Sequence, residues 1–214
     1  PPSSHICGNP PWVKWSNLPR DYAQSIQKHC RGLGVFSTDK WVGGIESDIS
    51  TVITYQAVKH YLERDGRLGF FLPGSVFTTE SSAGFRRFSI DNGSLQCRVL
   101  LVEDYQDIKP FDGVSNHPTF LMLQRDAATT FPVPYRTWTS SPGGQASQRT
   151  YASADQFRHS AKRIDGTAVP VPGGDGTRPW LVGSAQDQVV FSKVFAAGAK
   201  PEYKARKGIT TDRN

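Results

Sequence analysis

The sequence predicts an α/β fold, a mostly parallel sheet with helices on both faces. Residues Ser4 to Cys7 have the apolar character of the end of a buried strand, and a loop rich in Trp and Pro follows from Asn9 to Asn17. Asp48 to Arg64 has an approximate helical stripe, and Asp65-Gly66 then turns the chain into a strand over Leu68 to Leu72. Alternation of strand, helix and strand is typical of α/β sheets. The apolar positions of the stripe are Ile49, Val52, Ile53, Ala57 and Tyr61.

The next elements continue this alternation. A second helix is predicted over Ser81 to Ser89, and strands are predicted over Arg98 to Glu103 and Thr119 to Gln124. A long loop through Phe111 and Asn116 joins the two strands. These elements end the first predicted domain, residues 1–125.

The composition changes after Arg125, and residues 126–214 are predicted to form a loop-rich extension. Phe131 to Trp138 is strand-like, whereas Ser140 to Gln148 and Val169 to Pro179 are rich in residues that break regular structure. Two further helices are predicted in the extension. They span Ala154 to Ala161 and Gln186 to Ala197, the latter with an apolar side of Val189, Val190, Val194 and Phe195.

Composition narrows the class of protein. The hydrophobic fraction of 37% and the mean hydropathy of -0.46 are low, and 20 Gly and 15 Pro indicate many loops in a globular chain. No apolar run approaches the length that spans a membrane. The three cysteines are an odd number and are widely spaced, which argues against a disulfide framework or a zinc site and favours a reducing cytoplasm. The five histidines have no metal-ligand spacing, so no metal is expected.

The net charge of +6 and the pI near 9.3 suit a polyanionic partner, although a solvated surface gives the same excess. Basic residues cluster at Arg86-Arg87, at Arg158 with Lys162-Arg163, and in the C-terminal tail. Contacts of such residues with phosphates would make binding depend on salt. The tail residues are Lys200, Lys204, Arg206 and Lys207, with Tyr203 among them.

The most informative motif is Gly-Asn-Pro-Pro-Trp at Gly8 to Trp12. An exocyclic amino nitrogen is a poor nucleophile because its lone pair is delocalised into the ring, so two hydrogen-bond acceptors in one plane are needed to draw it out. The side-chain carbonyl of Asn9 and the main-chain carbonyl of Pro10 can supply them, because adjacent Pro10 and Pro11 lack N–H donors and do not continue a helix or ladder. Trp12 adds a flat surface for a base, and such stacking is worth about 1–3 kcal/mol. The motif predicts methyl transfer to an amino group; the alternative is a proline turn with Trp12 packed in a core.

The order of motifs resembles the gamma-class N6-adenine-specific DNA methyltransferases, including the Eco57I-like methylase part of fused restriction-modification enzymes. The resemblance covers about Ile6 to Gln124. It rests on five features in order along the chain, namely Gly8 to Trp12, the helix opened by Asp48-Ile49, Gly-Arg-Leu-Gly-Phe-Phe-Leu-Pro at 66–73, Phe85-Arg86-Arg87-Phe88 and Lys109-Pro110-Phe111.

This resemblance implies roles for individual residues. Asn9 and Pro10 would accept the hydrogens of adenine N6, Trp12 would stack on the flipped base, and Phe111 would stack beyond it. Pro11 belongs to the same catalytic motif. Asp48, at the start of its helix, would border S-adenosylmethionine. The alternatives are a buried loop anchor for Phe111 and a helix N-cap for Asp48.

The sequence departs from the family at two places. Ser4 and His5 stand where an aromatic-Asp pair is usual. The glycine-rich loop for S-adenosylmethionine precedes the motif in the family, and the stretches around Gly143-Gly144 and Gly173-Gly174 lack the flanking strand and helix that such a loop needs. The resemblance therefore implies the C-terminal part of a class I, Rossmann-like methyltransferase sheet, lacking the cofactor-binding half and expected to be inactive alone. The extension would lead towards a DNA target-recognition domain.

The implied function is N6-methylation of adenine in double-stranded DNA within a restriction-modification or phage-defence system. A fused nuclease or restriction-modification subunits would be further partners, and a membrane is not expected to be one. Methylation of RNA or of a protein amide, and a non-catalytic nucleic-acid-binding module, remain alternatives, because the same acceptors serve any planar amino group.

Overall fold

In a computed structural model, residues 1–36, 47–105, 108, 110–111, 117–140, 151 and 153–195 are described. They form one mixed sheet of eight strands in the order β1-β2-β5-β4-β6-β7-β8, with the short β3 paired to β4. The strands are β1 (Ser3–Gly8), β2 (Leu62–Pro73), β3 (Ser89–Ile90), β4 (Leu95–Asp104), β5 (Pro118–Arg125), β6 (Val133–Ser140), β7 (Ala161–Pro170) and β8 (Trp180–Gly183). The helices are α1 (Arg20–Leu33), α2 (Ile49–Tyr61), α3 (Ala154–Ser160) and α4 (Ala185–Val194).

The α/β prediction is confirmed, but the expectation of a mostly parallel sheet is wrong for the described strands. Only the pairs β1–β2 and β4–β6 are parallel, and the other five pairings are antiparallel. Strand β5 runs back between β2 and β4, and β6 to β8 follow one another in antiparallel order. The parallel pair β1–β2 spans α1 and α2, since parallel strands need a long crossover connection.

Several predicted elements match the structure closely. The strands predicted at 98–103 and 119–124 are the centres of β4 and β5. The helix predicted at 48–64 corresponds to α2, but its last three residues and the predicted turn at Asp65-Gly66 belong to β2. Side chains of α2 join the strands in the main core, where Tyr55 and Val58 are fully buried. The two helices predicted in the extension correspond to α3 and α4, although the apolar side expected of α4 is exposed rather than packed.

The helix predicted at 81–89 is wrong. The chain forms two short 3-10 turns there, Glu80–Ser82 and Phe85–Arg87, and Phe88 adopts a left-handed φ of 47°. Gly84 lies so close to the main chain of Phe36 that a Cβ would stand 2.2 Å from its carbonyl oxygen. The Phe85 carbonyl accepts a hydrogen bond from the Tyr55 hydroxyl at 2.5 Å. Tertiary contacts thus use backbone groups that a continuous helix would need.

The sequence pattern missed α1, which begins after Pro19 without a side-chain cap and buries only Ala23, Cys30 and Leu33. Three buried positions in a polar segment give no clear helical stripe. Its end has the usual chemistry, because Gly34 follows with a left-handed φ of 81°.

Strand β1 is less buried than its sequence suggests. Among the described strands it lies at one edge of the sheet and pairs with β2 alone, so that Ile6 is half-buried while its other residues are exposed. At the opposite edge, β7 and β8 were not foreseen, and both are hydrogen-bonded into the same sheet. The division at residues 125 and 126 stays a prediction. No helix within the described ranges is long and apolar enough to cross a membrane.

Candidate active site

The motif residues Asn9 to Trp12 leave the carboxyl end of β1. Gly8 ends the strand in register with Phe70 of β2, and a Cβ at Gly8 would lie 3.3 Å from the Phe70 ring. Asn9 is exposed, and no hydrogen bond joins its side chain to any other described residue. Pro10 is buried and Pro11 exposed. The amide of Asn9 is therefore open to an incoming ligand, beside a main chain that is fixed by the sheet.

Trp12 is half-buried and is held by a specific hydrogen bond. Its indole Nε1 donates to the main-chain carbonyl of Phe71 on β2 at 3.1 Å. A buried or half-buried indole N–H normally needs such a partner, because burying it unpaired is costly. This bond fixes the orientation of the Trp12 ring in the loop after β1. Trp12 is only half-buried, so it is not wholly packed in the core, as the alternative interpretation would require.

The chain beyond Trp12 is tied to the start of α2. The main-chain N–H of Trp15 donates to Ser47 at 2.8 Å, and that of Ile49 donates to Val13 at 2.9 Å. Lys14 and Asp48 form an antiparallel bridge between these two segments. The loop that carries the motif is therefore anchored on both sides, by β1 and by the N-terminus of α2.

Phe111 meets Trp12 although the two residues are far apart in sequence. Their ring centroids are 5.9 Å apart and the planes stand at 89°. Phe111 comes from the connection between β4 and β5, and it is half-buried. The structure thus brings together the two aromatic residues that the resemblance assigns to the base, while their roles in binding stay predictions.

Phe71 is a site residue that the sequence did not indicate. Its carbonyl accepts the Trp12 hydrogen bond, and its ring lies 5.1 Å from that of Phe111 at 86°. Tyr105 and Phe120 also contact the Phe71 ring, with centroids at 5.7 and 5.3 Å. An apolar strand run such as 68–72 does not reveal which residue faces the core and which faces the site, because that depends on the register of β2.

Asp48 caps α2. It is 8% exposed, and its Oδ1 accepts a hydrogen bond from the main-chain N–H of Ser50 at 2.9 Å. Burial raises the pKa of the Asp48 carboxyl, and hydrogen bonds from Ser50 and the charge of Lys14 partly oppose this effect. The N-cap role is therefore present in the structure, whereas contact with a cofactor stays a prediction.

One residue of the predicted basic clusters, Arg86, differs from its expected role, whereas nothing tests the role of the other residues in binding nucleic acid. Arg86 is only 2% exposed, so it is not available to a nucleic acid; its guanidinium donates to the carbonyls of Thr177, Val76 and Thr79 at 2.7–2.8 Å. Burial lowers the pKa of Arg86 to about 10. The exposed Arg158 and Arg163 pair with neighbouring aspartates, at 3.0 Å in each case. The basic tail, the Gly143-Gly144 stretch, Lys109 and Asn116 lie outside the described residues.

Metal ligands and the Gly173-Gly174 stretch can be judged only over the described residues. No group of three or more His, Cys, Asp or Glu side chains that could hold a metal occurs in the part of the chain that is described. The Gly173-Gly174 stretch connects the antiparallel strands β7 and β8, so no helix N-terminus follows it.

Comparison with known proteins gives relatives of one kind. No family model matches the chain. The Type II methyltransferase M.HincII of Haemophilus influenzae is 31% identical over 116 residues, which cover 54% of this chain and 21% of that protein. The Type II methyltransferase M.HindII of Haemophilus influenzae strain Rd is likewise 31% identical over 116 residues, with 54% and 20% coverage. The chain thus spans about a fifth of the length of these curated relatives.

A solved structure has the same fold. A nuclease-deletion mutant of the Type ISP restriction-modification enzyme LlaGI, in complex with a DNA substrate mimic, matches with a TM-score of 0.51. The match covers 84% of this chain and 15% of that chain at 15% identity, so the likeness concerns the fold alone.

Proposed function

We propose that this chain is part of a DNA methyltransferase of a restriction-modification or phage-defence system. It would transfer the methyl group of S-adenosylmethionine to N6 of an adenine flipped out of double-stranded DNA. The observation that carries the proposal is the geometry of the motif. Asn9 is exposed and directly follows β1, and three residues later the indole of Trp12 is oriented by its hydrogen bond to the carbonyl of Phe71.

The chemistry follows from the two acceptors. The side-chain oxygen of Asn9 and the main-chain oxygen of Pro10 would each accept one N6 hydrogen. Accepting both hydrogens localises the lone pair on nitrogen and directs it out of the plane of the ring. Positive charge develops on that nitrogen during methyl transfer, and fixed dipoles aimed at developing charge stabilise a transition state strongly.

The aromatic pair would serve base capture. Taking a base out of the duplex costs a few kcal/mol, and stacking against aromatic side chains offsets part of this cost. Trp12 and Phe111 are half-buried, with ring centroids 5.9 Å apart, and Trp12 follows the exposed Asn9 by three residues. An adenine ring stacked on Trp12 would bring its amino group towards the acceptors of the motif.

We propose that the described residues border the cofactor at a single residue. S-adenosylmethionine supplies an electrophilic methyl group when bound. Asp48 is the one candidate neighbour, but its Oδ1 already accepts the hydrogen bond that caps α2. The Gly173-Gly174 turn lies between antiparallel strands and offers no helix N-terminus. We therefore propose that the ribose and the methionine of the cofactor are held by residues other than those that the structure describes.

The relatives support this proposal. Both curated relatives are named Type II methyltransferases, and the solved structure with the same fold is a restriction-modification enzyme bound to a DNA mimic. Their much greater lengths accord with a protein in which further parts hold the cofactor, the target sequence or a nuclease.

The direct test is Asn9→Ala in the full-length protein, with Asn17→Ala as the matched control. Asn17 is also exposed but lies in the 3-10 turn after the motif. With labelled S-adenosylmethionine and unmethylated genomic DNA, nucleoside analysis should find N6-methyladenine for the parent and the control. The single-turnover rate of Asn9→Ala should fall about 10²–10³-fold, as on loss of a transition-state donor or acceptor elsewhere.

Other products would reject the proposal. Label on the exocyclic amino group of cytosine, on an amino group of RNA or on a protein amide would identify a different planar amine as the substrate. Absence of transfer to any of them, with DNA binding retained, would indicate a non-catalytic binding module. Near-normal methylation by Asn9→Ala would reduce the motif to a turn.

A further inference from the structure

We propose that Phe71 is a positioning residue that fixes the relative orientation of the Trp12 and Phe111 rings. Base capture then depends on a residue that contacts neither the amine nor the methyl donor. The consequence for base capture rests on the proposed function, whereas the positioning itself does not. The contacts of Phe71 link its neighbours from the loop after β1, from the β4–β5 connection and from β5.

The first part of the link is a main-chain group. The carbonyl of Phe71 is the acceptor for the Trp12 indole at 3.1 Å. Because this carbonyl belongs to a strand paired on both sides, by β1 and by β5, its position is set by the sheet. Phe71 itself pairs with Phe120 of β5 in the antiparallel register.

The second part is the ring. Phe71 meets Phe111 edge to face at 5.1 Å, and Phe111 meets Trp12 edge to face at 5.9 Å. Edge-to-face pairs of aromatic rings are favoured by the charge distribution of the rings, so they fix relative orientation. The ring and the carbonyl of one residue therefore orient two different aromatic walls.

A glycine next to Phe71 on the same face of the strand supports this arrangement. Gly69 is two residues from Phe71, so both point to one side of β2. Phe120 lies over Gly69 so closely that a Cβ there would stand 2.4 Å from its Cζ, and Phe120 in turn contacts Phe71 at 5.3 Å. A methyl group at Gly69 would have to displace Phe120 against Phe71. Because Gly69 has no side chain, Phe120 has room to pack against Phe71 and hold its ring.

The arrangement has a specific kinetic consequence. Loss of the Phe71 ring leaves the Asn9 and Pro10 acceptors in place but frees Phe111, so binding of the extruded base weakens while methyl transfer to a seated base proceeds. We expect Phe71→Leu to weaken base capture about threefold to tenfold, the effect of losing one or two ring contacts. The maximal single-turnover rate at saturating DNA should change less than twofold.

The positioning is tested first without any ligand. The full-length protein is labelled with 5-fluorotryptophan, and the Trp12 resonance is assigned by its loss in Trp12→Phe. Phe71→Leu should shift the Trp12 fluorine resonance. The matched control Phe77→Leu removes a buried ring stacked on Trp180 at 4.7 Å and should shift the Trp180 resonance instead. An unmoved Trp12 resonance in Phe71→Leu overturns the proposal.

A second variant avoids changing Phe71. Gly69→Ala should shift the same Trp12 resonance through Phe120, and a shift confined to other tryptophans overturns the proposal as well. The capture step is then measured with a duplex that has 2-aminopurine at a mapped target adenine. If Phe71→Leu moves Trp12 yet leaves capture and KM for DNA unchanged, the role in base capture is refuted. If Asn9→Ala remains active, the proposed function fails while the spectroscopic result stands.

Discussion

The carboxylate of Asp104 and the imidazole of His117 are hydrogen-bonded across the base of the chain segment that carries Phe111. Asp104 is the last residue of β4, and His117 directly precedes β5. The hydroxyl of Tyr135 on β6 donates to the other oxygen of Asp104 at 3.0 Å. The main-chain N–H of Tyr105 also donates to the Pro118 carbonyl at 3.0 Å. The two ends of the segment are thereby held together beside the site.

Replacing Asp104 should destabilise the fold more than replacing His117. Asp104→Ala leaves the buried Tyr135 hydroxyl without this acceptor, and an unpaired buried polar group costs about 1–3 kcal/mol. His117→Ala should cost less because His117 is half-exposed. The measurement is the free energy of unfolding in urea. In a double-mutant cycle, Asp104→Ala with Tyr135→Phe should cost less than the sum of the single changes, and strict additivity would contradict the coupling.

Arg86 and Arg87 are neighbours in sequence, but we expect their contributions to the stability of the fold to differ. Arg86→Met removes the donor to three carbonyls and should lower the free energy of unfolding by about 1–3 kcal/mol or more, without changing the salt dependence of DNA binding. Arg87 is exposed, so Arg87→Ala should change stability by about 0.5 kcal/mol or less. Urea unfolding and binding measured across salt concentrations check both. A flatter salt slope in Arg86→Met, with unchanged stability, would contradict the structural role.

The sequence located five strands, β1, β2, β4, β5 and β6, because apolar residues and turn residues mark them, but it missed the other three described strands and the antiparallel pairing. It predicted α2 because Asp48 and the apolar stripe act together, as a cap and a buried face. It failed at Phe85 to Phe88, where the close approach of Gly84 to Phe36 and the hydrogen bond from Tyr55 decide the backbone. Such contacts depend on tertiary structure, and local periodicity has no information about them.

Some residues of the candidate site could likewise be predicted from the sequence, and others could not. Asn9, Pro10 and Trp12 could be proposed from the sequence because their chemistry is contained in five consecutive residues. Phe111 needed the order of motifs along the chain. Phe71 could not be found, since its importance comes from strand register and from its partners.

Substitutions of Asp48 distinguish the stabilising effect of its helix-capping hydrogen bond from the effect of its negative charge. Burial raises its pKa in the fold, so the folded state favours the protonated form. The charged carboxylate therefore costs stability at neutral pH, and this cost disappears as the pH falls below the pKa of an unfolded aspartate, about 3.9. Asp48→Asn keeps a side-chain acceptor for Ser50, so its free energy of unfolding should match or exceed the parent at pH 7, with the difference shrinking towards pH 4.

The control for this prediction is Asp48→Ala, which loses the cap at both pH values and should cost about 1 kcal/mol at neutral pH. Urea unfolding at pH 7 and pH 4 distinguishes the variants. If Asp48→Asn were much less stable than the parent at pH 7, the carboxylate would be stabilising and the raised pKa wrong. Calorimetry with S-adenosylmethionine on the full-length Asp48→Asn protein separately tests the predicted contact with the cofactor.

Trp12 combines a flat ring with a single N–H donor, and two substitutions separate them. Trp12→Phe keeps an aromatic face but loses the hydrogen bond to Phe71, whereas Trp12→Ala loses both. Stacking of a base is worth about 1–3 kcal/mol, so Trp12→Ala should weaken capture of the extruded adenine by that amount. Trp12→Phe should lose only part of it.

A duplex with 2-aminopurine at the target position reports capture as an increase in fluorescence, which should be largest for the parent and smallest for Trp12→Ala. The maximal single-turnover methylation rate should fall far less than in Asn9→Ala, because Trp12 supplies no acceptor to the amine. If Trp12→Ala instead abolished methylation at saturating DNA while capture remained normal, the ring would act in the chemical step, and the division of labour between Asn9 and Trp12 would be wrong.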